Sequence, residues 1–94
     1  MNEMTAITRS FRIVNEKGLH ARASAKFVEV VEAHDASAEV SRDGMDVSGD
    51  SIMGLLMLAA SKGTTIVVRT SGNDAAKLAD ALEALVANRF GEEY

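Results

Sequence analysis

The chain has no cysteine, no proline and no tryptophan, and only one tyrosine and three phenylalanines among 94 residues. Without cysteine there is neither a disulfide framework nor a thiolate zinc site. Histidine is nearly as scarce, present only as His20 and His34, which argues against a histidine-rich metal centre. There is no surplus of positive charge: 10 Lys and Arg face 14 Asp and Glu, a formal net charge of −4. General nucleic-acid or anionic-membrane binding is therefore not expected. The longest strongly apolar stretch, Ile52 to Ala60, falls well short of the roughly 20 residues that cross a bilayer, so no membrane insertion is expected. Met1 to Thr5 lacks a basic segment followed by an apolar core, which reads as a cytoplasmic protein without a signal peptide. No Walker A run, G-x-G-x-x-G or G-x-S-x-G occurs, so neither a bound nucleotide nor any other cofactor is expected. With no linker, repeat or low-complexity stretch, residues 1–94 read as one domain.

What is present is an ordinary globular balance, 47% hydrophobic and 26% charged, carrying clear periodicities. Ala6 to Val14 reads as a strand with imperfect alternation, broken by Asn15-Glu16-Lys17-Gly18. From Ala21 to Ala33 the period becomes helical, with Ala21, Ser24, Phe27, Val28 and Val31 on one face. Ala38 to Arg42 and Met45 to Ser48 are short strands joined by Asp43-Gly44, the strongest hairpin signal in the chain. Asp50 or Ser51 can cap a short helix starting at Ile52, in a segment closed by Ser61-Lys62-Gly63. Thr64 to Thr70 is rich in β-branched residues and reads as a strand. Ser71-Gly72-Asn73-Asp74 reads as a turn and cap, and Ala75 to Asn88 as a helix with Ala75, Leu78, Ala79, Leu82, Leu85 and Val86 as its apolar stripe. Glu92-Glu93-Tyr94 reads as a solvated tail, and His34 as a surface residue at a helix end. The order β-α-β-β-α-β-α predicts an α+β fold of two layers, helices over one face of an antiparallel sheet.

The residue with the most chemical promise is His20, between the first strand and the first helix. The leading N–H groups of a helix have no partner within it, and with the helix dipole they favour anions. A phosphoryl group carried by His20 would meet the backbone N–H groups of Ala21 and Arg22. Neutral imidazole is a nucleophile at physiological pH, and phosphoimidazole is in turn a good donor. Arg22 offers a permanently charged fork for phosphate oxygens. Gly18 would let the chain turn sharply and leave space for a partner's active site. A lone histidine here can equally be a cap or a solvated surface residue, and the residues alone leave both readings open.

Gly18-Leu19-His20-Ala21-Arg22 resembles the active-site signature of HPr, the histidine-containing phosphocarrier of the bacterial phosphoenolpyruvate-dependent phosphotransferase system. Val47-Ser48-Gly49-Asp50-Ser51-Ile52-Met53-Gly54-Leu55 resembles the second signature of that family, its serine region. Two ordered motifs at a fitting separation are far more specific than either alone. The resemblance implies an open-faced two-layer sandwich, a four-stranded antiparallel sheet covered on one face by three helices. It implies that His20 accepts a phosphoryl group on Nδ1 from phosphorylated enzyme I and donates it to an enzyme IIA-type acceptor, with Arg22 stabilising the group. Such a protein is a stoichiometric relay and not an enzyme with its own substrate. Ser51 would match the serine modified by an HPr kinase/phosphorylase, and Ile52, Met53 and Leu56 would join the docking surface. A transiently docking carrier of this kind reads as a monomer.

One departure stands out. Where many members of that family carry proline, this chain has Ala23, and Ala-Arg-Ala-Ser resembles the variant of many alphaproteobacterial phosphocarriers. Alanine is an excellent helix former, so the expected consequence is a less rigid helix start and not a lost site. The alternative function is a regulatory binding module switched by Ser51 phosphorylation, in which His20 is idle.

Overall fold

The computed structural model describes residues 6–94; the reading of Met1 to Thr5 lies outside them. In chain order the elements are β1 (Ala6–Arg12), α1 (Ala21–Glu32), β2 (Ser37–Arg42), β3 (Met45–Ser48), α2 (Ile52–Met57), β4 (Thr65–Ser71) and α3 (Ala75–Ala87), followed by a 3-10 turn (Arg89–Gly91). The four strands form one antiparallel sheet in the order β1-β4-β2-β3.

Alternation along the strands decides which face is covered. Phe11 lies opposite Ile66, and Val40 opposite Val68, and all four are buried. Their sequence neighbours Arg12, Val67, Glu39 and Arg69 are exposed on the other face, which no helix covers. α1 packs on the core through Ala23, Phe27, Val28 and Val31, α2 through Leu55, and α3 through Leu78, Leu82 and Val86. Burying each of the larger side chains contributes about 1.5–3 kcal/mol. The β2–β3 turn uses Asp43 (φ 50°) and Gly44 (φ 82°), both left-handed, as the Asp-Gly pair predicts.

Four sequence expectations are corrected. In α1, Ser24, Phe27, Val28 and Val31 are buried on the predicted face, but Ala21 is exposed and Ala23 takes its place as the buried small residue. α2 ends at Met57, because Ala59 takes a left-handed φ of 51° and turns the chain while Leu58 and Ala60 enter the core. Asp74 makes no cap bond to α3; its carboxylate accepts from the Asp35 backbone N–H instead. Of the predicted tail Glu92-Glu93-Tyr94, Glu93 and Tyr94 are exposed as expected, but Glu92 is half-buried and bonded by Asn15. Phe90 is fully buried, and Lys26 Nζ donates to its carbonyl at 2.7 Å.

Candidate functional site

His20 is the N-cap residue of α1, with extended backbone (φ −75°, ψ −177°). The first intrahelical bond runs from Ser24 N–H to the His20 carbonyl at 2.8 Å. The amides of Ala21 and Arg22 lie ahead of that bond, at the open positive end of the helix. His20 Nδ1 accepts from Arg22 N–H at 3.3 Å, so this ring nitrogen faces the helix end. The ring is about a quarter exposed, at 26%.

The loop before the helix is held by glycine. Gly18 has φ +66°, and a Cβ there would lie 2.5 Å from the Ala60 carbonyl oxygen and 2.9 Å from Ser61 Cα. The sharp turn is as expected, but the space beside Gly18 is not left for a partner: it is filled by the Ala60–Ser61 backbone. Leu19 N–H donates to the same Ala60 carbonyl at 2.9 Å. His20, Lys17, Leu56 and Ser61 thereby border an open cleft of about 290 Å³.

The chain's C-terminal residues complete the site, which the sequence did not disclose. Glu92 Oε2 is hydrogen-bonded to His20 Nε2. Its other oxygen, Oε1, accepts from Asn15 Nδ2 at 2.9 Å. Asn15 is fully buried and also donates to the Gly18 carbonyl at 2.8 Å. Burial pushes the Glu92 carboxyl up, but hydrogen bonds from Asn15 and His20, with the nearby charge of Lys17, outweigh it and hold the group below its ordinary 4.5. The carboxylate form is thus favoured at neutral pH. Stability from this lowered value is fully present above about pH 4.5 and is lost as pH falls through it. Glu16 N–H donates to the Tyr94 carbonyl at 3.0 Å, and Arg22, Lys17, Glu92 and Tyr94 share a second cleft. A Phe-Gly pair just past a helix end was the available signal for a chain reversal.

Ser51 caps α2: its Oγ accepts from Gly54 N–H at 2.9 Å. Asp50 is bound by Ser48 Oγ at 2.6 Å. Ile52 and Met53 are exposed at 41% and 69%, and Leu56 is half-buried beside His20. Met57, 64% exposed, extends the same apolar patch. His34 is half-buried and its Nδ1 bonds the Val30 carbonyl at 2.7 Å, away from these groups. Among the described residues no cluster of His, Asp and Glu could hold a metal, and no helix is long and apolar enough to cross a membrane.

Comparison with known proteins places this fold and this histidine loop in one class, the small phosphocarriers. The family model for the HPr component phosphorylation site of the phosphotransferase system matches residues 7–88. Phosphocarrier protein HPr of Cupriavidus necator is 46% identical over 86 residues, covering 92% of this chain and 97% of its own. Phosphocarrier protein NPr of Shewanella violacea is 38% identical, covering 95% and 98%. The crystal structure of HPr-C-His from Thermoanaerobacter tengcongensis superposes with a TM-score of 0.89 at 33% identity, covering 94% and 99%. The chain belongs to the HPr family and is a phosphocarrier of the bacterial phosphotransferase system.

Proposed function

We propose that His20 carries the phosphoryl group, on Nδ1, between phosphorylated enzyme I and an enzyme IIA-type acceptor. The observation that carries this reading is the direction of Nδ1, toward the open amide end of α1. The Nδ1 lone pair attacks phosphorus, the N–P bond forms and the bond from phosphorus to the donor breaks. The phosphoryl oxygens then take up the Ala21 and Arg22 N–H groups, and the Arg22 guanidinium offsets their charge. Ile52, Met53 and Leu56, with Met57, supply an apolar docking surface beside the reacting nitrogen. Incubation with phosphoenolpyruvate and enzyme I is expected to give one acid-labile, base-stable phosphate per chain. An acid-stable product, or none, contradicts the reading and favours a binding module switched at Ser51 alone.

Regulation at Ser51 by an HPr kinase/phosphorylase is part of the same proposal. A phosphate adds a charge of about −1.5 to −2 beside Asp50, at the edge of the apolar patch. Aspartate is as good an N-cap as serine, so Ser51→Asp keeps α2 capped while adding charge. Ser51→Asp is expected to slow transfer from enzyme I about tenfold, an effect on encounter that high salt diminishes. Unchanged transfer in the folded variant rejects this role. The 38% identity to a phosphocarrier NPr leaves a nitrogen-related chain as the second reading for the acceptor.

A further inference from the structure

The structure assigns Glu92 as the positioning residue of the phosphoryl-accepting histidine, braced by the buried Asn15; this rests on the reading of His20 as the acceptor. A carboxylate only accepts hydrogen bonds. Its bond to His20 Nε2 therefore requires the ring proton on Nε2 and leaves the lone pair on Nδ1. Arg22 N–H, donating to Nδ1 at 3.3 Å, is a long bond that fits the same tautomer without fixing it alone. Two contacts from opposite ends of the chain thus present the nucleophilic nitrogen to the helix end. The logic is that of a general base oriented by a buried acid. During transfer the N–P bond forms at Nδ1 while the donor's bond to phosphorus breaks. The proton stays on Nε2, and Glu92 offsets the positive charge that the ring gains.

The C-terminal backbone is built to deliver this carboxylate. Arg89 (φ 56°), Phe90 (φ 54°) and Gly91 (φ 80°) are consecutive left-handed residues that reverse the chain after α3. Two of them are not glycine, and each costs roughly 1–2 kcal/mol in this region. Such conformations persist where the surroundings over-determine them, and they cluster at functional sites. Here the restraints are the fully buried Phe90 ring, the Lys26–Phe90 carbonyl bond and the Glu16–Tyr94 backbone bond. Lys17 and Arg22 are the cations of this neighbourhood, and Glu16 and Glu93 the other acids.

Glu92→Gln in the full chain is the test. Asn15 Nδ2 and His20 Nε2–H both need an acceptor, and a glutamine offers one oxygen, so one of the two bonds is lost. Nitrogen NMR of the His20 ring in the unphosphorylated protein should show the Nε2–H tautomer in the wild type and a mixture in the variant. Glu92→Gln is expected still to form acid-labile phosphate, about tenfold more slowly, with its affinity for enzyme I changed less than about twofold. An unmoved tautomer overturns the assignment, as does transfer at the wild-type rate. A faster variant overturns it too, since Glu92 would then be a cover over the site. Failure of the carrier reading itself looks different: the wild type would carry no acid-labile phosphate, and the tautomer measurement would still decide the role of Glu92.

Discussion

Gly18→Ala is expected to destabilise the protein by about 3 kcal/mol and to abolish most phosphoryl acceptance with it. Two costs combine. A non-glycine residue at φ +66° costs about 1–2 kcal/mol, and the new methyl meets backbone, not a flexible side chain, adding about 1–3 kcal/mol. The Ala60 carbonyl cannot retreat without loss, because it accepts the Leu19 N–H that sets the approach to His20. Against a total of roughly 5–14 kcal/mol for a domain of this size, the loss is large. It should lower the unfolding midpoint by roughly 15 °C in a thermal melt followed by circular dichroism. A drop equivalent to less than about 1 kcal/mol contradicts the crowding at this turn.

His20→Ala separates chemistry from fold. The substitution removes one cap bond and the partner of Glu92, together about 1–2 kcal/mol, so the chain stays folded at 25 °C. Labelling from phosphoenolpyruvate through enzyme I is expected to vanish, whereas it is only slowed in Glu92→Gln. Labelling of His20→Ala at the wild-type level would move the acceptor elsewhere, and His34 would be the first residue to examine. The pair of variants is diagnostic: Gly18→Ala loses stability and transfer, His20→Ala loses transfer with little stability.

Much of this was legible from residue patterns. Asp43-Gly44 could serve as a tight turn because both residues tolerate the left-handed region. The β-branched run before Ser71 and the leucine stripe of α3 follow from periodicity, and Ser51 from its chemistry as a cap. His20 and Arg22 were visible as a pair, and their placement at a helix start came from the break at Gly18. What escaped was long-range. Leu58-Ala59-Ala60 looks helical, but the Ala60 carbonyl is required by Leu19, far away in sequence, so α2 stops early. Asn15 reads as a strand breaker, and only the fold shows it buried with Glu92 on its amide. The approach of Glu92 to His20 spans 72 residues of separation, and no local rule encodes it. Phe90 followed by Gly91 carried the one sequence hint of a packed turn.

The measurement that bears most directly on the central claim is phosphorus–nitrogen correlation NMR on the chain labelled with 15N and phosphorylated by enzyme I. The account predicts a single phosphorus bonded to Nδ1 of His20, with Nε2 still carrying its proton. Phosphorus on Nε2, on His34 or on a hydroxyl group would contradict it.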